Sequence, residues 1–439
     1  MGRTGIRPPL LRAGLGVCVP AHRPLPLQRR NPHPLQKLSK RHAKQLLLLL
    51  LGIGWLAAAW LLWQTAVPND LVLPKVDPAR GLEPKVVDKA EDFETFLRWS
   101  FVASQLVALI VLALYAWRGT RFTRESAAGR IGTGMLLGMI GLALVWISQL
   151  PFQLLELWWQ RRHELWNAGY LDWFLESWIG LGAEFLFVCF WLLITMALAA
   201  VLRKTWWLVA APVFVGLALL FAFVYPYLVE SRAAPPEVRG DAVVFARRQH
   251  TDPVKVAVED WSDFTSVPNA YATGLGPSRR IFLWDTLLDG RFDDREIRVV
   301  LAHELGHHSR HHIWKSVAWY ALILLPLLGG VAWLTSRRGG LYMPRAVPLA
   351  LLALVAGGLL LQPLDNAVSR RFEAEADWMA LETTRDPAAA RALFRHFTRE
   401  ALEDPTPPGW AYQALATHPS IEERIAMATA WERRNGAAR

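Results

Sequence analysis

Residues 299–312 read V-V-L-A-H-E-L-G-H-H-S-R-H-H and contain His303-Glu304-Leu305-Gly306-His307. Side chains four apart on a helix leave the same face, so His303 and His307 can hold one metal ion with Glu304 beside it. Two neutral imidazoles and a carboxylate leave zinc one open position for water, whose pKa the ion lowers to about 7. Glu304 is then the candidate general base that takes the water's proton and later hands it to a leaving amine.

A helix is expected here with or without a metal. Asp293-Asp294-Arg295-Glu296 puts acids in a first turn, where they suit the helix dipole, and Ile297, Val300 and Leu301 supply an apolar stripe. The five-residue pattern also occurs on polar surface helices, and the crowding by His308, His311 and His312 blurs its spacing. These three read as solvated or rim residues.

Working outward, the 439 residues are 53% hydrophobic and include 22 Trp, and the mean hydropathy is +0.20. That is too apolar for an ordinary soluble enzyme of this length and predicts a membrane protein. The formal charge of +10 is compatible with nucleic acid, but the basic residues sit at the ends of apolar runs and form no stripe with interleaved aromatics, so nucleic acid is not an expected partner. Only Cys18 and Cys189 are present, which excludes a disulfide framework and a Cys-ligated zinc.

Seven apolar runs have bilayer length: 46–63, 99–117, 131–150, 178–202, 206–229, 317–334 and 347–364. The expected fold class is therefore an α-helical multi-pass membrane protein of about seven spans, with a mostly helical zinc-peptidase-type domain carrying a small hairpin or sheet. The expected division is a basic Pro/Arg-rich tail over 1–45, five spans over 46–229, a first polar part over 230–316, two spans over 317–364 and a second polar part over 365–439. The tail has no acid before Asp70 and reads as disordered, or as residues ahead of the true start. A cleavable signal fits poorly because the next apolar run is too long, and Ile6 argues against myristoylation at Gly2. Residues 151–177 read as an amphipathic cap at the interface, and Glu184, inside the fourth run, should face protein or water.

In the first polar part, residues 254–258 form a short β-rich run. Asn269-Ala270-Tyr271-Ala272-Thr273-Gly274 leads through a Gly-Pro-Ser turn into Arg280-Ile281-Phe282-Leu283-Trp284. An edge strand there, through Asn269, Ala270 and Tyr271, could pair with an extended substrate peptide; the alternative is a strand that merely completes the fold. After the last run, Ser369-Arg370-Arg371-Phe372-Glu373-Ala374-Glu375-Ala376-Asp377 supplies a missing carboxylate. Glu373 and Asp377 lie on one helical face, so Glu373 can ligate the ion while Asp377 orients a ligand histidine. Glu375 points elsewhere and reads as solvated, though spacing alone leaves this choice open.

The seven spans, N-A-Y-A-T-G, L-A-H-E-L-G-H, S-R-R-F-E-A-E-A-D and the late T-H-P-S-I-E-E-R together resemble the type I CAAX prenyl proteases, membrane zinc metalloendopeptidases. The resemblance implies one zinc ion on His303, His307 and Glu373, Glu304 as base and Asp377 as the outer partner. It also implies His418 as the group that stabilises the oxyanion, with Arg370 and Asn269 supporting the site. A purely structural role for His418 stays open, because Ser420 and Glu423 form a capping box just after it. The family's shape implies a ring of seven helices around a water-filled chamber. Expected partners are the bilayer and a peptide or protein substrate, prenylated or otherwise membrane-associated. The expected location is a multi-pass position in a bacterial inner membrane, or in the endoplasmic reticulum of a eukaryote.

Two other readings compete. Intramembrane proteolysis also uses His-Glu-x-x-His, but here charged residues separate the motif from the nearest apolar run. The other is a channel, carrier or metal-sensing scaffold with an idle site. Orientation is divided too: short basic loops at 118–130, 203–204 and 337–345 predict an extracytoplasmic site, while the resemblance implies a cytoplasmic one.

Overall fold

The computed structural model describes residues 34–119 and 128–436. Helix α1 (Pro34–Leu62) opens the chain. The stretch ending at Leu56 is a unit of its own, and one compact unit starts at Ala57. Residues 34–45 belong to α1, so the expected disordered tail is corrected there: Leu, Gln, Lys, Arg and Ala are good helix formers. Cys18, the Gly2–Ile6 signal, Arg121 and Arg124 lie outside the described residues.

Next come α2 (Pro84–Arg118), α3 (Gly129–Arg162), α4 (Tyr170–Leu202) and α5 (Trp206–Leu228). The polar part follows with β1 (Arg232–Ala233), α6 (Pro236–Arg248), β2 (Lys255–Glu259), β3 (Ala270–Thr273), β4 (Arg280–Trp284) and α7 (Asp294–Ser309). Then α8 (His312–Ser336) and α9 (Val347–Thr384) lead to α10 (Pro387–Glu400), α11 (Gly409–Ala414) and α12 (Ile421–Gly436). Among the described residues six helices are long and apolar enough to cross a membrane: α2, α3, α4, α5, α8 and α9 with its preceding turn. The first of the seven expected runs falls in α1.

Three expected boundaries move. Residues 151–162 continue α3 instead of forming a separate cap, and α4 begins at Tyr170. Helix α8 begins at His312, before the apolar run does. Most consequential, α9 runs unbroken through Asp365, so the last span and the Glu373 segment are one helix of 38 residues. Polarity changes along it while the backbone hydrogen bonds continue, because composition marks the membrane edge and not the helix end.

The two layers cohere for different reasons. In the membrane layer lipid is as apolar as the side chains, so close approach must hold the helices together. Gly134 and Gly138 on α3 meet Met196 and Leu192 of α4, and Gly141 meets Leu351 of α9, each so closely that a Cβ would collide. Trp191 stacks on Phe214 with ring centroids 3.4 Å apart. In the polar layer, burial from water does the work. Ile281, Leu283, Leu301, Leu305, Leu393 and Ile425 are all but sealed, each worth about 1.5–3 kcal/mol.

The sheet has the order β1-β2-β4-β3. The expected hairpin is β3 with β4, antiparallel, with Ala272 opposite Ile281. Strand β2 runs parallel to β4, leaving β3 as an edge beside α7.

Candidate active site

Helix α7 starts where its acids predict. Asp293 is the cap, accepting from the Glu296 N–H at 2.8 Å, while Glu296 accepts from the Asp293 N–H at 3.0 Å. Its far half is buried and packs on α9. Gly306 makes this possible, since a Cβ there would lie 3.3 Å from the Cα of Ala376. The close crossing brings Glu373 to the two histidines.

Three donor atoms converge. Glu373 Oε2 is 3.1 Å from His303 Nε2, and Glu373 Oε1 is 3.6 Å from His307 Nε2. The two Nε2 atoms are 3.2 Å apart. An ion bound tetrahedrally at about 2.0–2.2 Å holds its donors about 3.3–3.5 Å from one another, so the spacing fits. The protonation pattern fits as well. His303 Nδ1 is 2.8 Å from Asp377 Oδ1, and a carboxylate there accepts from the ring N–H. The Nε2 lone pair then faces Glu373, an arrangement that repels unless a cation lies between. The same field acts on a proton: burial lowers the pKa of His303, yet its bonds to Asp377 and Glu373 lift it to about 10. Among the described residues His303, His307 and Glu373 are the group able to hold a metal ion.

Glu304 is buried beside this centre, and burial raises its pKa to about 7 against the opposing pull of His303 and the Ala272 backbone. It lines a cavity of about 540 Å³ together with His303, Asn269, Ala270 and His418. His418 Nε2 is 3.3 Å from Glu373 Oε2, so the late Thr-His-Pro segment does reach the centre. The Ser420–Glu423 capping box is also present, with both bonds at 3.2 Å, and the two roles coexist. Arg370 is buried and donates to the Tyr412 and Ala416 carbonyls at 2.9 and 2.6 Å, bracing the segment that carries His418. Tyr271, expected with Asn269 and Ala270, projects from the face of β3 opposite to Ala270, bonds Glu259 and stacks on Phe282.

Several expectations about neighbouring residues are overturned. Glu375 is not solvated but fully buried, accepting from Arg310 at 2.6 Å, Lys315 at 3.3 Å and the Ala66 N–H at 2.8 Å, with His312 at 3.0 Å. His312 is buried and its Nδ1 is 3.0 Å from His307 Nδ1. His308 is buried against the Arg280 carbonyl at 3.1 Å, and burial lowers its pKa to about 4. Of the three extra histidines only His311 is exposed. Glu184 is exposed on α4. Sequence reasoning missed Arg424, which grips Asp377 with two bonds of 2.7 and 2.8 Å. The signal was an arginine one turn into the helix after His418.

The fold and the site define a multi-pass integral membrane protein whose polar layer carries a His-His-Glu centre facing a cleft. Residues 239–432 match the model of peptidase family M48. The chain is 30% identical to the uncharacterized metalloprotease YhfN of Bacillus subtilis (strain 168) over 51% of its own length and 56% of that protein. It is 32% identical to the protease HtpX homolog of Acidiphilium cryptum (strain JF-5) over 45% of its length and 74% of that protein. The chain belongs to peptidase family M48. It spans only 56–61% of the first curated relatives it matches. The crystal structure of S. mikatae Ste24p superposes with a TM-score of 0.64 and 18% identity, covering 86% of this chain and 96% of that one. The resemblance to the type I CAAX prenyl proteases thus holds at the level of the fold.

Proposed function

We propose that the protein is a membrane-embedded zinc metalloendopeptidase. The observation that carries this reading is the convergence of His303, His307 and Glu373 donor atoms at 3.1–3.6 Å beside a cleft that His303 and Glu304 line. Members of the family are zinc-dependent in general. Bound there, the ion would supply a Lewis acid for the scissile carbonyl and make the attacking water acidic.

The remaining steps belong to side chains. Glu304, whose buried carboxyl titrates near neutrality, takes the proton of the attacking water and returns it to the leaving amine. Asp377, clamped by Arg424, fixes the ring of His303. His418, held by the segment that Arg370 braces, faces the centre from the cavity side and donates to the developing oxyanion. Strand β3 is the edge of the sheet, and an extended peptide would lie along it beside Asn269 and Ala270. A lipid-bearing or otherwise membrane-associated polypeptide is the substrate class that fits a cleft mounted on membrane helices.

The centre lies on the extracytoplasmic side if the host is bacterial. Arg130 and Arg203 both lie over the ring of Tyr342, at 5.9 and 4.4 Å, which gathers the three basic loops at one end. The ligand segments leave α5 and α9 at their other ends. By the positive-inside rule the basic end faces the cytoplasm.

The test is metal dependence. Purified protein should contain about one zinc per chain, lose peptide hydrolysis on chelation and regain it with zinc. Hydrolysis that survives complete zinc removal would refute the assignment.

A further inference from the structure

The cavity beside Glu304 is also lined by apolar walls from Val300, Leu393, Phe394 and Phe397 and by a polar end formed by Glu94, Arg98, Glu403 and Asp404. The charges at this end do not cancel. Arg98 is shared by Glu94 and by Asp404, the latter at 2.8 Å. Arg424, at the near end, is occupied by Asp377. Among the described residues the Glu403 side chain makes no hydrogen bond or ion pair, although it lines the cavity. One arginine thus stands against three carboxylates at this end, and Glu403 has no direct partner even with Arg424 nearby.

A carboxylate without a donor in a mostly apolar recess is costly unless a cation or hydrogen-bond donor arrives. The recess is in fact hostile to the charge: burial raises the pKa of Glu403 to about 7, with Arg424 opposing and Glu94, Asp377 and Asp404 adding to the rise. The shape of the recess says what would relieve it. Lysine and arginine have apolar stems and a cationic tip, and so can lie along the Val300, Leu393 and Phe394 walls with the tip at Glu403.

Resting on the peptidase reading, we propose that this recess is a substrate side-chain subsite selective for lysine or arginine near the scissile bond, with Glu403 as its specificity-determining residue. Glu403 does not touch the reacting atoms; it selects which peptide is seated over them.

The test uses full-length protein in lipid nanodiscs, loaded with zinc and made inert by Glu304→Gln, so that binding is read without turnover. Fluorescent peptides carry lysine or its uncharged isostere norleucine at each position in turn across the central segment. One position should favour lysine by about tenfold or more, as expected for a hydrogen bond between charged partners. Adding Glu403→Gln should abolish that preference while leaving norleucine-peptide affinity unchanged. Glu403→Asp, which keeps the charge on a shorter stem, should move the preference to the longer arginine. Absence of a lysine preference at every position overturns the proposal, and so does a preference that survives Glu403→Gln or is undiminished for lysine in Glu403→Asp. Cleavage by the protein with Glu304 intact separates the two readings. Lysine-selective binding without any hydrolysis would remove the peptidase assignment and leave the subsite, while hydrolysis indifferent to lysine would do the reverse.

Discussion

Helix α9 presents two carboxylates, two residues apart, to two different environments. Glu373 looks across to His303 and His307, and the atoms facing it there are lone pairs. Glu375 looks the other way, towards Arg310, Lys315, the Ala66 N–H and His312, and is sealed from solvent. Both are buried beside imidazoles, so neither burial nor histidine proximity identifies a metal ligand. What differs is saturation. A carboxylate surrounded by fixed donors has no capacity left for an ion, whereas one surrounded by acceptors needs a cation to be stable.

The largest effect should come from the group facing the attacking water. Glu304→Gln is expected to keep about one zinc per chain and to lose hydrolysis by roughly 10²–10⁴-fold, because only proton transfer is removed. Metal analysis paired with peptide hydrolysis reads both, and undiminished turnover would show that Glu304 is not the base.

The comparison of the two carboxylates is broken most directly by exchanging their fates. Glu373→Ala should strip zinc, while Glu375→Ala should retain it and lower stability by about 3 kcal/mol, since it leaves His312 and Lys315 without their anion. Zinc content and thermal unfolding of the two variants, side by side, decide. The opposite ranking would mean that the wrong face of α9 had been assigned.

A smaller effect is expected one step out. Arg424→Gln should leave the ligand set intact but free Asp377, weakening zinc affinity by about 10–100-fold, readable by chelator competition. Unchanged affinity would show that the Asp377–His303 bond needs no clamp. Orientation gives the last test, which alters no energetics. A cysteine placed at exposed Ser336, in protein lacking Cys18 and Cys189, should resist an impermeant reagent in intact bacterial cells. Labelling there would put the metal centre in the cytoplasm. Gly339–Leu341 is a poorer position, since Leu341 is buried and both glycines have φ near +90°.

Local signals were legible in the sequence because they are properties of a few neighbouring residues. Bilayer-length runs need only composition, and among the described residues six of the seven expected appear as helices of that length. The acids at the start of α7 and the Ser420–Glu423 box are four-residue patterns, and both stand at helix starts. The i, i+4 spacing put His303 with His307, and Glu373 with Asp377, on shared faces. The Gly-Pro-Ser turn closed the β3–β4 hairpin.

What spacing could not give was which side of a helix would be covered, and by what. Glu375 and His312 read as polar residues bound for water, but the chain beyond α1 and the first turn of α8 close over them. The continuity of α9 through Asp365 was hidden because polarity reports the membrane edge, while helicity depends on backbone bonds that cross that edge unchanged. The clamp of Arg424 on Asp377 joins residues 47 apart, and Glu403 meets Glu94 and Arg98 across some 300 residues. The sequence alone determined the membrane helices, the helix carrying the His-Glu-x-x-His pattern and the residue types available for chemistry, since each follows from local periodicity. Only the tertiary structure decided which carboxylate keeps an open side and which acid is left unpaired, because burial and compensation of charge depend on partners distant in sequence.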